Sequence, residues 1–429
     1  NTSGVTRLGI EPSVTGGAGT SGTSGGGAGG AGIQGANLAV SVAATGSVSG
    51  GLGGDSARAA ALNFTGGTNT LILASGATLT GGIVVAANAT TLALVVSTDY
   101  TLSNVISGDG SISKIGAGRL ILTGANTYTG GTTISAGTVQ IGDGGTTGSI
   151  EGDVVNNGIL VFNRTDGSAF LGDISGSGRV VKEGTGSITL SGTNTYTGGT
   201  TINAGTLRVS SDESLGAAGG TLTLNGGTLS GGGTFTVARA VVLGSNGGTF
   251  SAISGLVTVS GVISGSGGLT IEGGGSQGII LTGNNTYQGT TTVNGSLAIG
   301  YLGTSGSVAG DIVVNSGGTL VFARSDSNTI TNAIVSNAGS IIGFAGGGDY
   351  TYAGGGSING LVLVQGATLR LTGSEFATAS SVNLSLGGIL SGNGTVSDLV
   401  VGDGGIVAPG NSPGTLSATT VTFESGSIY

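Results

Sequence analysis

Apolar residues along the chain fall in short alternating pairs that are separated by turn residues. Leu120/Leu122 and Leu207/Val209 are examples of this period of two, which is the spacing of a β-strand with one buried face. Each run ends in Gly, Asn, Asp or Ser-Gly, the residues that favour turns. No amphipathic stretch with helical spacing reaches ten residues without a Gly interruption. The pattern therefore predicts an all-β chain of short strands.

Three segments of the chain repeat one another, at residues 106–142, 174–210 and 263–300. Between them a second motif occurs twice, as GSIEGDVVNNGILVF (residues 148–162) and GSVAGDIVVNSGGTLVF (residues 306–322). Self-similarity on this scale is typical of a solenoid, in which each unit stacks on its neighbours. We therefore predict an all-β fold, a right-handed parallel β-helix that forms a single elongated rod. Its coils should contain ~20 to 25 residues and lie ~4.8 Å apart.

The composition narrows the classes of protein that the chain can belong to. Of 429 residues, 97 are Gly and 3 are Pro, charged residues make up 7%, and the mean hydropathy is +0.38. Low charge with positive hydropathy is the reverse of a disordered chain, and scarce Pro excludes collagen. The sequence contains no Cys and no His, so a Ser-His-Asp or Cys-His enzyme cannot be built from it.

The net charge, the apolar runs and the N-terminal residues indicate which partners and which location to expect. The net charge is −9, from 20 acidic and 11 basic residues, and there is no basic patch, so nucleic acid is not expected as a partner. No apolar run approaches the ~20 residues of a membrane-spanning helix. The N-terminal NTSGVTRLG lacks the basic and apolar regions of a signal peptide. We therefore expect a mature or excised piece.

The chain divides into three regions by composition. Residues 1–35 are a Gly/Ser/Thr-rich segment, predicted to be a flexible leader or to cap the first coil. Residues 36–390 carry the strand patterns and the repeats of the β-helix. Residues 391–429 form the C-terminal coils.

Two details inside these regions predict irregular structure. GDYTYAGGG (residues 348–356) lies where the repeat pattern loosens, and we expect a protruding loop there. Pro409 and Pro413 occur in APGNSPGTL. Because Pro lacks an N–H donor, we expect both at turns and not within a ladder.

The three repeats, which contain LTGANTYTGGTTISAGTVQIG, LSGTNTYTGGTTINAGTLRVS and LTGNNTYQGTTTVNGSLAIG, resemble the passenger-associated transport repeat of Gram-negative autotransporters. The tail from residue 392, GNGTVSDLVVGDGGIVAPGNSPGTLSATTVTFESGSIY, is similar to the stretch that leads into the autochaperone region of such proteins. The resemblance implies export, passage through the translocator barrel of the same precursor, and folding outside the cell. It also implies a location on the Gram-negative cell surface or secretion. Residues 391–429 would then lead into an autochaperone and a translocator barrel.

The Asn-Thr-Tyr triplet of each repeat has two interpretations. Exposed aromatic side chains would form a platform for a ligand. Alternatively, Asn caps a corner of the solenoid and Tyr packs at a vertex, as expected for repeats that are tied to secretion and folding. We favour the second interpretation and predict six structural repeat positions: Asn126, Tyr128, Asn194, Tyr196, Asn285 and Tyr287.

Charged residues offer little catalytic chemistry. Glycoside hydrolysis needs two facing carboxylates ~5 to 9 Å apart, and the sequence offers the close pairs Glu151/Asp153 and Asp212/Glu213. Asp153 has a counterpart in Asp311 of the second motif, which favours a role in a turn. We predict no catalytic residue, no cofactor and no metal site beyond a weak calcium site at the Gly-Asp motifs.

Lys114 and Lys182 occupy equivalent positions in the first two repeats. This equivalence favours a structural role for both lysines.

The predicted function is that of an adhesin that acts by non-catalytic contact. Its partners would be host or bacterial surface molecules, or copies of the chain itself through the loops and polar faces. The alternative is a structural stalk or an extracellular filament subunit that assembles through the ends of the β-helix. A third reading is a toxin-like or enzymatic passenger, which would require a cleft with paired acids.

Overall fold

The computed structural model describes residues 6–11, 13–15, 28–54, 56–273, 278–373, 376–409 and 415–427. In this part of the chain the named elements are β-strands, together with one 3-10 turn at Asp212–Leu215. Successive coils pair in parallel, as Thr91 of one coil with Ser111 of the next, twenty residues on. This confirms the predicted all-β parallel solenoid. Over the same residues, no helix has the length and apolar character needed to cross a membrane.

The chain forms two compact units, the first made of Asn1–Leu207 and Glu213–Gly220 and the second of Arg208–Asp212 and Thr221–Tyr429. The strands within the first unit are β1 (Thr6–Ile10), β2 (Ser13–Thr15), β3 (Ile33–Ala36), β4 (Leu38–Val42), β5 (Ser47–Ser49), β6 (Leu62–Gly66), β7 (Thr68–Leu73), β8 (Thr78–Thr80), β9 (Ile83–Val85), β10 (Thr91–Val95), β11 (Tyr100–Leu102), β12 (Ile106–Ser107), β13 (Ser111–Ile115), β14 (Arg119–Leu122), β15 (Thr132–Ile134), β16 (Thr138–Ile141), β17 (Val154–Asn156), β18 (Ile159–Asn163), β19 (Ser168–Phe170), β20 (Ile174–Ser175), β21 (Arg179–Glu183), β22 (Ser187–Leu190) and β23 (Thr200–Ile202). β24 (Thr206–Val209) contains residues of both units.

The strands of the first unit stack in columns, one strand from each coil. One sheet has the order β1-β4-β7-β10-β13-β15-β17-β20, and a neighbouring column contains β11, β14, β16, β18, β21 and β23 in succession. Within each strand alternate side chains point into the core, as the period of two predicts. The first two coils are longer than the next, since Thr6 lies opposite Leu38 and Ala39 opposite Thr70, whereas Thr68 lies opposite Thr91. Part of the predicted leader is therefore strand β1, whereas residues 1–5, 12 and 16–27 lie outside the described residues.

The second unit continues the same construction. Its strands are β25 (Leu222–Leu224), β26 (Thr228–Gly232), β27 (Phe235–Val237), β28 (Val241–Leu243), β29 (Gly248–Ser254), β30 (Leu256–Val259), β31 (Ile263–Gly265), β32 (Leu269–Glu272), β33 (Gly278–Leu281), β34 (Thr291–Val293), β35 (Ser296–Ile299), β36 (Ile312–Val314), β37 (Thr319–Phe322), β38 (Asn328–Ile330), β39 (Ile334–Ser336), β40 (Ile341–Phe344), β41 (Asp349–Tyr352), β42 (Gly356–Ile358), β43 (Leu361–Gln365), β44 (Thr368–Leu371), β45 (Ser381–Ser385), β46 (Ile389–Gly392), β47 (Gly394–Val401), β48 (Ile406–Pro409) and β49 (Leu416–Phe423).

Two sheets consist of strands of the second unit alone. A ten-stranded sheet has the order β27-β30-β33-β35-β37-β40-β43-β45-β47-β49, and a five-stranded sheet has the order β38-β41-β44-β46-β48. Identical side chains stack along the interior, as where the rings of Phe322 and Phe344 lie 5.5 Å apart and nearly parallel. Such ladders bury a continuous apolar column between the sheets.

The predicted loop at residues 348–356 is wrong. Residues 349–352 of this segment form strand β41, Gly356 begins β42, and Tyr350 and Tyr352 are fully buried. The two tyrosines are two residues apart, so both face the core, where Tyr352 packs edge-on against Phe376. The flanking glycines made a strand look like a loop.

The prediction for Pro409 is also wrong. Pro409 is the last residue of β48 and lies opposite Gly392 in the ladder. β48 is the edge strand of its sheet, where a missing N–H donor is tolerated. Pro413 lies outside the described residues.

Candidate functional site

The asparagine of each triplet ties its coil to a coil on either side. The Asn126 side chain accepts a hydrogen bond from the Ile106 backbone N–H at 2.8 Å and donates one to the Ser149 carbonyl at 2.9 Å. Because one amide group supplies both an acceptor and a donor, it satisfies two backbone groups that the corner would otherwise leave unpaired.

The other two asparagines have the same partners. Asn194 accepts from the Ile174 N–H at 2.8 Å and donates to the Ser214 carbonyl at 2.7 Å. Asn285 accepts from the Ile263 N–H at 2.8 Å and donates to the Ser307 carbonyl at 2.9 Å. All three side chains are buried.

The tyrosine of each triplet lies wholly inside the solenoid. Tyr128, Tyr196 and Tyr287 have no exposed surface. Each hydroxyl is 2.6 Å from the Thr Oγ1 four residues on, at Thr132, Thr200 and Thr291. Burial raises the pKa of Tyr128 and Tyr287. A buried ring cannot stack on a ligand, so the interpretation of the triplets as an exposed aromatic platform is wrong.

The first two repeats do not present their corners on the same face of the first unit. β13 and β15 of the first repeat lie in the eight-stranded sheet, whereas β21 and β23, their counterparts in the second repeat, lie in the neighbouring column with β14, β16 and β18. The second repeat is therefore turned by one face relative to the first. A ligand that lies along one face cannot contact the same positions of both repeats.

Lys114 and Lys182 are buried cations that end on carbonyl groups. Lys114 Nζ donates to the carbonyls of Gly116 at 2.7 Å and Ala136 at 3.3 Å. Lys182 Nζ donates to the Glu183 carbonyl and, as in the first repeat, to a glycine and an alanine: Gly184 at 2.7 Å and Ala204 at 3.3 Å.

Burial changes the acidity of these two amines. It lowers the pKa of Lys114, and it lowers the pKa of Lys182 to about 8 against a smaller opposing effect of the Glu183 carboxylate. Since each ammonium is enclosed and occupied by backbone carbonyls, neither is placed to contact a substrate.

Asp153 and Asp311, the equivalent aspartates of the second motif, lie at corners and hold backbone groups. Asp153 accepts a hydrogen bond from the Asp173 N–H at 2.9 Å, and Asp311 accepts one from the Ala333 N–H at 3.1 Å. Among the described residues no three His, Cys, Asp or Glu side chains group in a way that could hold a metal ion.

In the other acidic pair, Asp212 and Glu213, the first carboxylate is bound by an arginine. Asp212 forms an ion pair with the almost fully buried Arg239, with the Nε and Oδ1 atoms 2.9 Å apart. The Asp212 carboxylate is thus bound by the guanidinium of Arg239 and is not paired with the carboxylate of Glu213.

Sequence reasoning missed two arginine clamps. Arg164 pairs with Asp166 at 2.7 Å and donates to the Gly148 carbonyl, and Arg324 pairs with Asp326 at 2.6 Å and donates to the Gly306 carbonyl at 3.1 Å. Hydrogen bonding to the guanidinium lowers the pKa of both aspartates. The signal was present as the R-x-D that follows VF in VFNRTD and VFARSD.

Each clamp closes a corner loop. We call residues 142–148 the first clamped loop and residues 300–306 the second clamped loop. The Gly144 N–H donates to Asn163 O at 2.9 Å in the first, and the Leu302 N–H donates to Ala323 O at 2.7 Å in the second. The two loops therefore share one backbone design.

A surface groove with a volume of about 680 Å³ lies on the outer face of the five-stranded sheet. Thr329, Thr351, Arg370 and Ser391 follow one another across its strands in register, and Asp349 lies beside them. Short hydroxyl side chains with one acid and one base give a polar, shallow surface. It is shaped for contact with a surface or an extended chain and does not enclose a small molecule.

Comparison with known proteins agrees with this geometry. The family described as Passenger-associated-transport-repeat matches residues 112–141, 180–209 and 278–295, within the three repeats. The adhesin BmaC autotransporter of Brucella suis biovar 1 (strain 1330) is 39% identical over 128 residues, which is 30% of this chain and 4% of that protein. The chain thus spans a small fraction of the relative's length. No solved structure matches the chain.

The matched repeats, the similarity to part of an autotransporter and the parallel solenoid support the resemblance to an autotransporter passenger domain. Proteins of this class are exposed on the Gram-negative cell surface or secreted, so the resemblance implies such a location.

Proposed function

We propose that the chain is an adhesin: a passenger that holds its cell to host, matrix or other bacterial surfaces by contact, without catalysis. The observation that carries the proposal is the similarity to a protein named an adhesin, over 128 residues. The outer surface supports it, because the groove on the five-stranded sheet is polar, shallow and open along several coils. Many weak contacts along such a surface sum to strong attachment.

The arrangement of charged groups supports contact over catalysis. The carboxylates with a counterpart in a second motif, Asp153 and Asp311, hold corner N–H groups. The buried amines of Lys114 and Lys182 end on carbonyls. Each of these groups has a task in holding the coils, so none is left over as an acid, a base or a nucleophile.

The experiment is an attachment assay with beads that carry the purified chain. Beads are offered to epithelial cells, to surfaces coated with matrix glycoproteins and to bacteria, and bound beads are counted. Beads with heat-unfolded chain and beads with albumin are the controls. Attachment of the folded chain above both controls to at least one surface supports the proposal. Equal binding of all three bead types would overturn it.

A second readout on the same sample separates the adhesin from a stalk. Light scattering and electron microscopy of the free chain over a dilution series report its assembly. Filaments that lengthen with concentration, together with beads that do not attach, would favour the stalk.

A further inference from the structure

The second clamped loop carries two exposed apolar side chains where the first clamped loop carries none. Tyr301 and Leu302 are 63% and 65% exposed, and they stand at the positions of Asp143 and Gly144. The loops share their backbone hydrogen bonds and their arginine clamp, so only the displayed side chains differ. The scaffold therefore does not require Tyr and Leu there.

Leu302 also adopts a backbone conformation that disfavours leucine. Its φ is +58°, whereas the corresponding Gly144 has a φ of +93°. Glycine adopts positive φ freely and leucine does so at a cost in stability. An exposed leucine at such a position adds strain and no packing, which points to a use outside the folded chain.

Leu386 repeats this feature further along the same unit. It is 71% exposed with a φ of +51°, and its N–H donates to the carbonyl of Asp403, at the next coil's corner. Leu302 follows β35 and Leu386 follows β45, and between these strands the sheet order runs through β37, β40 and β43. The two leucines thus stand on one edge, four coils or about 19 Å apart.

Beside this edge the polar groove holds one acid and one base on adjacent strands. Asp349 belongs to β41 and Arg370 to β44, and both are exposed. Within the described residues neither side chain has a hydrogen-bond or ion-pair partner. The coil of β40 and β41 lies midway between the coils of the two leucines.

We propose that two copies of this chain pair antiparallel along this edge, about a two-fold axis near β41. In a two-fold interface each contact occurs twice with the roles exchanged. Leu302 of one copy then meets Leu386 of the other, and Arg370 meets Asp349 of the other. The midpoint of the two leucines lies at the coil of β41, and the midpoint of Asp349 and Arg370 lies half a coil, about 2.4 Å, away. The long arginine side chain spans this difference, so opposite charges face each other across the same axis. This inference names a surface for the attachment to other bacteria included in the proposed function, and it rests on that function only to that extent.

The test is sedimentation equilibrium of the purified full chain, from micromolar to near-millimolar concentration, so the probe is the chain itself. We expect a monomer–dimer equilibrium. Tyr301→Asp with Leu302→Gly, which converts the second clamped loop to the side chains of the first, should weaken it at least about tenfold. Leu386→Asp should do the same. Because glycine suits positive φ, the change at Leu302 should not lower the unfolding midpoint.

The charges provide a test that does not depend on the leucines. Arg370→Asp and Asp349→Arg should each weaken the dimer, and the double exchange should restore it, because the pair is reciprocal. The matched control is Leu171→Asp in the first unit, where a leucine 77% exposed lies off this edge, and it should leave the dimer unchanged.

Several results would overturn the inference. The chain could stay monomeric over the whole concentration range. The dimer could keep its affinity in the loop variant and in Leu386→Asp. The double charge exchange could fail to restore the affinity that the single charge variants lose. Bead attachment is scored separately, so loss of the dimer with attachment intact would refute the pairing and leave the adhesin in place.

Discussion

The second and third repeats bury different groups at the same interior position. Lys182 stands where the third repeat has Ile271, and both are almost fully buried. The corners beside them differ in length. Three residues separate β23 from β24 in the second repeat, whereas two, Asn294 and Gly295, separate β34 from β35 in the third. The missing residue is the counterpart of Ala204, whose carbonyl accepts from the lysine.

This difference shows what the position requires. The interior position needs a side chain that fills its volume. A lysine ammonium is buried there only where a longer corner supplies an additional carbonyl acceptor. The Asn-Tyr corner next to it keeps the same hydrogen bonds in both repeats. The hydrogen bonds of the corner are therefore the same in both repeats, whereas the residue at the neighbouring interior position differs.

Placing a lysine at the interior position of the third repeat should cause the largest loss of stability. Ile271→Lys buries a cation without the full set of carbonyls, and we expect a loss of about 3–5 kcal/mol in the free energy of unfolding. Urea unfolding followed by circular dichroism measures it. Adding one alanine between residues 294 and 295 should recover part of the loss. A variant as stable as the parent would refute the role of corner length.

Removing the corner asparagine should cost nearly as much, and equally in both repeats. Asn194→Ala removes the side chain that accepts from the Ile174 N–H and donates to the Ser214 carbonyl, at a cost of about 2–4 kcal/mol. Asn285→Ala should match it in the same urea titration. The control is Asn294→Ala, where an exposed asparagine accepts from Asn315 at 2.7 Å and the change should stay within about 0.5 kcal/mol. Unequal losses at residues 194 and 285 would contradict a common corner.

Replacing the lysine in the second repeat should have a small effect. Lys182→Met keeps the length of the side chain, and relief from burying a charge offsets the lost carbonyl contacts. We therefore expect a change below about 1.5 kcal/mol in either direction. A loss as large as that of Ile271→Lys would show that the ammonium, and not its volume, supports the coil.

The last expected effect is a dependence on pH. Burial lowers the pKa of Lys182 from 10.5 to about 8, so between these values the unfolded chain holds a proton that the folded chain has released. The unfolded state binds more protons there, and stability should rise with pH across this window. Below it both states are protonated and the contribution is constant. In urea midpoints, the difference between the parent and Lys182→Met isolates this residue, because the buried tyrosines act alike in both. If the difference between the urea midpoints of the parent and Lys182→Met does not change with pH, the lowered pKa of Lys182 is contradicted.

The repeating part of the fold was predictable from the sequence because its information is local. Alternation places Leu120 and Leu122 inward, and turn residues end each run, so strand type and coil spacing follow from short windows. The same rule applied to Tyr350 and Tyr352 would have predicted β41. The surrounding glycines led to the prediction of a loop instead, because glycine occurs both in loops and in tightly stacked coils.

The remaining features depend on contacts between coils, which spacing along one chain does not reveal. The clamp of Arg324 on Gly306 joins residues 18 apart, and its R-x-D signal has meaning only once the loop is known. Leu302 and Leu386 read as ordinary apolar residues until their positive φ and exposure are seen. Pro409 reads as a turn residue until its strand is known to lie at an edge.

The register of about twenty residues between paired strands has a consequence for how the chain acquires its structure. Every new strand needs only the strand one coil earlier as its template, so the entropy lost in closing each loop is small and similar at every step. Such a chain has very low contact order, and its ordered part grows from one end without waiting for distant segments. A polypeptide delivered end first through a narrow opening can therefore become ordered at the pace of its delivery, each coil preventing the one before it from slipping back.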